Sequence, residues 1–248
     1  MSKQLAVQPQ TTGERAWQDS ERIFFNQFPQ RLPEESVCTP LEYAFHLLGD
    51  IRGKTVIDLG CGDGENTVIF ALGGARVLSI DNSERCLKAT SKRAIAAGVS
   101  DSVELLHSDA ANIPMAAGSA DAVFAAGILR HVDAVYTARQ IRRVLKPGGT
   151  AVFLEPIARS TRLAAIKHVS LGQRTLTMAE VEAVCRAVGL AGRRQAFWLT
   201  MRLMCRLGAS RSSPPAKAAE RLDAAVLRRF PFTRKFASPL VWEARKES

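Results

Sequence analysis

The feature that most constrains this chain is a regular alternation of short apolar segments with helix-length segments between residues 54 and 156. The apolar segments predict buried strands, and they lie at residues 54–60, 75–81, 103–109, 120–127 and 150–156. Three helices are predicted between them, at residues 66–74, 83–98 and 134–149, and each ends at a glycine. Strands separated by helices of this length predict right-handed crossovers and a parallel sheet.

The segments on either side of this core are less regular. Residues 17–50 carry aromatic side chains at helical spacing and predict short N-terminal helices. A helix is predicted over 177–189, where Thr177 and Glu180 form a capping-box pattern. Two final strands, expected to pair antiparallel, are predicted later in the chain, at 193–199 and 238–246.

The long interruption between these two strands predicts a helical lid. The expected fold is therefore α/β: a seven-stranded, mostly parallel sheet with helices on both faces, N-terminal helices and a lid inserted near the final hairpin. A single domain is expected over residues 1–248. Its parts are an N-terminal helical cap at 1–50, a core at 51–160, and the lid with the final strands at 161–248.

Charge and cysteine content narrow the functional classes. Residues 191–248 carry 13 Lys and Arg against 4 Asp and Glu, a net charge of +9, whereas residues 1–190 are close to neutral. Such a basic region favours an acidic ligand, anionic lipid or nucleic acid, or it serves as a solubilising surface. The five cysteines are scattered without a CxxC pair, and no secretory leader is visible, so a cytoplasmic protein is expected.

The sequence VIDLGCGDGENT at residues 56–67 places three glycines at alternate positions directly after the first predicted strand. In an open parallel sheet, ligands bind beyond the carboxyl ends of the strands. A phosphate-binding P-loop needs a Lys-Ser/Thr pair that is absent here. A dinucleotide fingerprint needs glycine where Glu65 stands, and Asp58 is a poor neighbour for a pyrophosphate. S-adenosylmethionine, which has no phosphate and two cationic groups, fits better, although glycines alone also suit a plain turn.

Five segments in order resemble the motifs of class I S-adenosylmethionine-dependent methyltransferases, in particular the type-11 members of ubiquinone and menaquinone biosynthesis. They are DLGCGDG (58–64), SIDNS (79–83), HSDAANIP (107–114), ADAVFAAGILRHV (120–132) and VLKPGGTAVFLEP (144–156). The motifs cover less than half of the chain. The resemblance implies a Rossmann-like fold and methyl transfer from S-adenosyl-L-methionine, with S-adenosyl-L-homocysteine as the product.

The resemblance assigns ten residues to cofactor binding. They are Asp58, Gly60, Cys61, Gly62, Asp81, Asn82, Asp109, Ala110, Ala126 and Gly127. In the family, an acidic residue at the position of Asp81 takes both ribose hydroxyls, which suits the two acceptor oxygens of a carboxylate. By the same resemblance, Asp109 and the Ala110 backbone contact the adenine edge.

Local roles compete with some of these assignments. Asp81 or Ser83 is expected to cap the helix that follows, and Asp109 also suits an Asx turn. Asp58 is expected to act partly by organising the amides of the glycine loop. Cys61 is expected to offer its backbone rather than its thiol, because no partner would make it a nucleophile.

Three residues near the predicted cleft are catalytic candidates. His131 is either a base or a helix-start residue beside the cofactor, and a base is needed only where the acceptor is protonated. Arg130 either holds an anionic acceptor or pairs with Asp133. Glu155, at the end of the fifth strand, is expected to point toward the same cleft, where it either contacts the substrate or serves as a turn device.

The acceptor pocket is assigned to the variable ends of the chain. Its predicted lining is Phe24, Phe25, Phe28, Trp198 and Met201, with Phe197 in the same segment. Such a stripe of Met and aromatic residues is also typical of ordinary core. An apolar pocket with a basic rim predicts a small hydrophobic or aromatic acceptor, and no metal site is expected.

Other functions fit the same motifs. The basic region permits a methyltransferase acting on RNA or protein, although no RNA-binding module is visible and nucleic acid is therefore disfavoured. A non-catalytic domain that only binds the cofactor is also compatible with the motifs. The segment AAVLRRFPFTRKF at 224–236 mixes Arg and Phe and would permit membrane attachment. A monomer or a homodimer is expected.

Overall fold

The structure is a computed structural model that describes residues 40–155, 177, 180–181, 184, 189–197, 214–230, 232–233 and 237–247. Its helices are α1 (Pro40–Leu48), α2 (Glu65–Leu72), α3 (Glu84–Ala96), α4 (Ala134–Val144) and α5 (Pro214–Arg229). Its strands are β1 (Thr55–Leu59), β2 (Arg76–Asp81), β3 (Val103–His107), β4 (Ala120–Ala126), β5 (Leu145–Glu155), β6 (Leu190–Ala196) and β7 (Leu240–Lys246). A turn of 3₁₀ helix, Ser100–Ser102, precedes β3.

Within the described residues, seven strands form one sheet in the order β3-β2-β1-β4-β5-β7-β6. β1 pairs in parallel with both β2 and β4, so that Ile57 lies between Leu78 and Val123. β7 runs antiparallel to its neighbours β5 and β6. The mostly parallel sheet and the antiparallel final pair confirm the predicted fold class. Because the strand order reverses between β1 and β4, a crevice opens at their carboxyl ends.

Side chains of β1 alternate between two apolar cores, one on each face of the sheet. Val56 packs with α1 and α2 in a core where the ring centroids of Phe45, Phe70 and Phe124 lie 5.2 to 5.7 Å apart. Ile57 packs with α4 in the core on the opposite face. Helices therefore cover both faces, as predicted, and the sheet between them is a rigid platform for the loops at its edge.

The helix predicted over 134–149 is shorter than expected. It starts after Asp133, whose carboxylate accepts the Tyr136 N–H at 2.9 Å, and it ends at Val144. The segment KPGG belongs to β5 instead, where the register against β4 shifts between Ala120 and Ala122. Pro and Gly therefore mark a bulge within a strand here, not the end of a helix.

The position of Phe197 also differs from the prediction. Its ring is buried against Tyr43, with 5.5 Å between the centroids, and its N–H donates to the Pro239 carbonyl. Phe197 is thus part of the core around Val56 and does not line an acceptor pocket.

Other predictions fall partly or wholly outside the described residues. Outside them lie Phe24, Phe25, Phe28, Trp198 and Met201, and also the lid segment 200–213. The capping box is confirmed, because Thr177 and Glu180 exchange hydrogen bonds of 2.7 and 3.3 Å. The division into cap, core and lid stays a prediction. In the described part of the chain, no helix is long and apolar enough to cross a membrane.

Candidate functional site

A cavity of about 450 Å³ opens at the carboxyl ends of the strands, beside the point where the strand order reverses. It is lined by Leu59, Gly60, Ile80, Asp81, Asn82, Ser108, Asp109, Ala110, Ala111, Ala126, Gly127, Ile128, His131, Val132 and Asp133. This volume suits a small molecule. All the predicted cofactor residues are in this lining except Asp58, Cys61 and Gly62.

The glycine loop, residues 60–64, folds back onto the end of β2. The N–H groups of Gly60 and Cys61 donate to the Ile80 carbonyl at 2.7 and 3.2 Å. The loop is also in contact with the turn after β4, because a Cβ built on Gly60 would lie 2.8 Å from the Ile128 side chain. The loop amides thus have acceptors within the protein, and the backbone lies close against the cavity wall.

Helix α3 supports the outer side of the glycine loop. The Thr90 hydroxyl donates to the Gly62 carbonyl at 3.0 Å. Arg93, 25% exposed, donates to the carbonyl and the carboxylate of Asp63 at 2.9 and 2.6 Å. Gly64 has a φ of +86°, and a Cβ there would lie 2.7 to 2.9 Å from Thr90. Only glycine fits this contact without displacing the helix.

Asp81 stands at the end of β2 with its carboxylate in the cavity lining. One oxygen accepts the Gly62 N–H at 3.0 Å, and the other accepts the Ser83 N–H at 2.9 Å. Ser83 caps α3, because its side chain accepts the Cys86 N–H. The capping role therefore belongs to Ser83, and Asp81 keeps acceptor positions that face the cavity.

Asp109 follows β3 and is exposed in the same cavity. One carboxylate oxygen accepts the Ala111 N–H at 2.8 Å, which closes the Asx turn considered above. The Asx turn and a ligand-facing role are compatible here, because the turn uses one acceptor position of the carboxylate. Ala110 is buried beside it and forms part of the wall.

Asp58 lies beneath the cavity rather than in its lining. It is 1% exposed, and its carboxylate accepts the Thr67 hydroxyl at 2.6 Å, which in turn bonds to Ser79. Burial raises the pKa of Asp58 to about 7, and the charge of Asp81 adds to the rise. The prediction that Asp58 organises the loop amides is wrong, because the amides of Gly60, Cys61, Gly62 and Gly64 donate to other acceptors.

Cys61 behaves as a buried structural residue. Its sulfur lies 3.6 Å from the Thr90 hydroxyl, and burial raises the pKa of the thiol to about 12. The side chain is therefore a poor nucleophile. Its backbone bonds to Ile80 and Gly64, so it supports the loop from within.

Glu155 does not face the cavity, contrary to the prediction. It is 3% exposed, and one carboxylate oxygen accepts the N–H groups of Ile128 and Leu129 at 2.9 and 3.0 Å. Burial raises its pKa to about 7, although these two hydrogen bonds and the charge of Arg130 act in the opposite direction. Glu155 thus anchors the turn after β4, and that turn supplies one wall of the cavity.

Arg130 and His131 form a pair at this wall. The Arg130 Nε donates to the His131 Nε2 at 2.9 Å, and His131 is exposed in the cavity lining. In this geometry the Nε2 lone pair is occupied, which assigns the ring proton to Nδ1. The Arg130–Asp133 pair, one of the two predicted alternatives, is not formed in the described part of the chain: Arg130 donates to His131, and the Asp133 carboxylate caps α4.

Sequence reasoning missed the supporting residues Thr90 and Arg93 and the wall residues Ile128 and Val132. The three-residue spacing of Thr90 and Arg93, which puts them on one helix face, is the signal that would have found them. Among the described residues, no cluster of His, Cys, Asp and Glu could hold a metal ion.

Comparisons with known proteins agree with this geometry. Residues 57–153 match the family model described as a methyltransferase domain. The 27-O-demethylrifamycin SV methyltransferase of Amycolatopsis mediterranei (strain S699) is 36% identical over 99 residues, which are 39% of this chain and 36% of that protein. The demethylmenaquinone methyltransferase of Clavibacter sepedonicus is 36% identical over 106 residues, 42% of each chain. The chain thus aligns with less than half the length of either relative.

A solved structure resembles a larger part of the chain. It is geranyl diphosphate C-methyltransferase from Streptomyces coelicolor A3(2), in complex with Mg²⁺, geranyl diphosphate and S-adenosyl-L-homocysteine. The TM-score is 0.64 at 18% identity, over 83% of this chain and 77% of that one, and this likeness supports the fold. On the family match and the sheet order together, residues 57–153 form a methyltransferase domain with a Rossmann-like fold.

Proposed function

We propose that the protein is an enzyme that transfers a methyl group from S-adenosylmethionine to a small hydrophobic or aromatic metabolite. The family match over residues 57–153 supports the reaction class. The names of two relatives, which give a demethylrifamycin and a demethylmenaquinone, support an acceptor of quinone or natural-product type. The observation that carries the proposal is the position and hydrogen bonding of Asp81.

Asp81 has the capacity to bind a ribose. A carboxylate offers about four acceptor positions. In Asp81, one oxygen accepts the Gly62 N–H and the other accepts the Ser83 N–H, so each oxygen keeps one further position. The positions that remain suit two neighbouring hydroxyl groups. Asp109 keeps comparable capacity toward the amino group of an adenine. Three carboxylates, those of Asp81, Asp109 and Asp133, line the cavity, which favours a cationic ligand and repels a pyrophosphate.

Methyl transfer depends more on aligning the acceptor atom with the methyl group than on acid–base catalysis. When bound, S-adenosylmethionine supplies a methyl group on a positively charged sulfur, and that sulfur departs as a neutral thioether. The glycine loop and the turn after β4 would hold the cofactor at the carboxyl ends of the strands. The rate then depends on how well the protein orients the acceptor.

Arg130 and His131 are the described residues best placed to orient an acceptor at this wall. With Arg130 donating to Nε2, His131 takes up a proton there only after this hydrogen bond opens. The pair therefore serves first to bind an acceptor oxygen. His131 acts as a base only for an acceptor that must lose a proton, such as a hydroxyl.

The cofactor assignment is tested by calorimetric titration with S-adenosylmethionine and, separately, with NADH. Wild type is compared with Asp81→Ala and with the matched control Asp101→Ala, an exposed carboxylate in the turn before β3. We expect wild type and the control to bind S-adenosylmethionine alike. Asp81→Ala should bind it about a hundredfold more weakly, because two hydrogen bonds to a charged group are lost. Binding of NADH instead would contradict the proposal.

The acceptor class is tested by following the labelled methyl group. The protein is incubated with methyl-labelled S-adenosylmethionine and a set of hydroquinones, phenols and isoprenoids, and in parallel with total RNA and with cell protein. Label in the organic extract supports the proposal. Label in RNA or protein would favour a macromolecular acceptor, and cofactor binding with no label in any fraction would favour a non-catalytic domain.

A further inference from the structure

Helix α5 and the turn after it expose large apolar side chains close together. Leu222 is 56% exposed, Phe230 is 46% exposed and Phe232 is 67% exposed. The two phenylalanine rings lie 6.1 Å apart, edge to face. Single exposed apolar residues are common on protein surfaces, but two exposed rings in contact, with Leu222 about two helical turns before them, make an apolar surface of the kind that marks interaction sites.

The orientation of α5 places Leu222 on its outer side. Asp223 and Leu227, four residues apart, are 2% and 7% exposed and define the inner face of the helix. Leu222 and Arg229, seven residues apart, lie on the opposite side and are both exposed. The carboxylate of Asp223 therefore points away from Leu222, and the outer side of the helix carries an apolar side chain and a cationic one.

Three arginines of α5 are close in sequence to these apolar residues. Arg221, Arg228 and Arg229 are exposed, and none forms an ion pair with a carboxylate in the described residues. The Arg229 guanidinium lies 5.5 Å from the centre of the Phe230 ring. Exposed cations that have no carboxylate partner among the described residues attract an external anion.

We propose that Leu222, Phe230 and Phe232, with the arginines beside them, form a docking surface for an anionic phospholipid membrane. The apolar side chains would enter the boundary between head groups and acyl chains, and the arginines would contact lipid phosphates. The net charge of +9 over residues 191–248 favours the same partner. This surface does not depend on the proposed methyl transfer, because none of its residues lines the cavity.

The arrangement favours lipid over nucleic acid and over a second copy of the chain. A single-stranded nucleic acid stacks its bases on open aromatic faces, whereas Phe230 is in contact with Arg229 and Phe232, and Leu222 offers no stacking surface. A symmetric dimer through this patch would place the same cationic surfaces opposite each other.

The test is flotation of the full-length protein with two kinds of vesicle, phosphatidylcholine alone and phosphatidylcholine with about one third phosphatidylglycerol. The first variant is Phe230→Ser/Phe232→Ser, with Ile95→Ser as control because Ile95 is 66% exposed on α3. The second is Arg228→Gln/Arg229→Gln, with the exposed Arg85→Gln as control. Circular dichroism and S-adenosylmethionine binding check that each variant folds.

We expect wild type and both controls to float with the anionic vesicles only, and less so at high salt. Each arginine contributes about a fivefold effect, so the arginine pair should weaken binding by more than about tenfold. The phenylalanine pair should reduce binding at every salt concentration. Absence of flotation, or flotation unchanged in both variants, would overturn the proposal. The proposal would also be overturned if the wild-type protein did not bind vesicles but bound RNA or formed a dimer, and if the same variants lost that RNA binding or that dimer.

Discussion

The two loops that meet at the cavity differ in how many side chains support them. The glycine loop has side-chain hydrogen bonds to Asp81, Thr90 and Arg93, which come from β2 and α3. The turn after β4 is anchored by Glu155, which takes two of its N–H groups. The glycine loop, which carries the sequence motif, is thus held by three side chains that can replace one another in part. The turn after β4 depends on one buried carboxyl group, that of Glu155.

The largest expected effect comes from filling the contact between the glycine loop and α3. Gly64→Ala introduces a Cβ within 2.9 Å of Thr90 and puts alanine at a φ of +86°. The free energy of unfolding should fall by about 3 to 4 kcal/mol, from the left-handed backbone and the overpacked contact together. Urea denaturation measures the change.

Gly98→Ala is the matched control for this prediction. Gly98 also has a positive φ, of +70°, but nothing lies within 4 Å of a Cβ there. Its cost should be the backbone contribution alone, about 1 kcal/mol. Equal losses in the two variants would show that the contact with Thr90 does not matter.

Loss of the anchor on the opposite turn should have the next largest effect. Glu155→Ala leaves the N–H groups of Ile128 and Leu129 without their acceptor and should cost about 2 to 3 kcal/mol. It should also raise the KM for S-adenosylmethionine, because the displaced turn lines the cavity. Glu155→Gln keeps an acceptor oxygen and should recover most of both losses. A direct catalytic role would instead leave stability unchanged and lower kcat in both variants.

The two buried carboxyl groups predict a pH dependence of stability. The pKa values of Asp58 and Glu155 are raised to about 7, so between about pH 4 and 7 the folded state binds more protons than the unfolded state. Their contribution to stability is therefore present at low pH and is lost as pH rises to about 7. Each group contributes at most about 1.4 kcal/mol per pH unit.

Asp58→Asn isolates one of these two contributions, since an amide does not titrate but still accepts from Thr67. Thermal unfolding from pH 5 to pH 8 should show a flatter profile for this variant than for wild type. Asp101→Asn, on an exposed carboxylate, should follow the wild-type profile. A variant profile as steep as that of wild type would mean that Asp58 ionises normally in the folded protein.

The smallest expected effect tests redundancy in the glycine loop. Arg93→Gln removes the ion pair with Asp63, but Asp81 and Thr90 still hold the loop. We expect a loss of about 1 kcal/mol in stability, typical of a partly exposed pair, and a change of a few fold in cofactor affinity. Lys88→Gln, which removes an exposed pair with Glu84, should change neither. If Arg93→Gln lowered the stability as much as Glu155→Ala does, the glycine loop would not be supported by several side chains in the way described.

Much of the fold and part of the site could be predicted from the sequence. The alternation of short apolar segments with helix-length segments located the strands of the parallel core to within a few residues, because each strand is buried and ends at turn residues. The KPGG segment led to a wrong C-terminal boundary for the helix predicted over 134–149, since Pro and Gly mark bulges as well as helix ends. Periodicity carries no information on strand order, which long-range packing decides.

Side-chain direction at strand ends was the harder problem. Asp81 and Glu155 both end a strand, yet one lines the cavity and the other bonds to a backbone turn. Because successive side chains alternate across a sheet, a shift of one residue in the strand end reverses the direction of a side chain. The motif therefore predicted that a carboxylate stands at each position and could not predict which way it points.

The strand order also has a consequence for synthesis. β7 follows β6 in the chain, but it lies between β5 and β6 in the sheet. While the chain grows on a ribosome, neither β5 nor β6 has its native neighbour on this side of the sheet until β7 is made. Until β7 emerges, the outer edge of β5 is open to strand addition by another nascent chain. A pause in translation before β7 (Leu240–Lys246) is made would thus prolong the exposure of this edge.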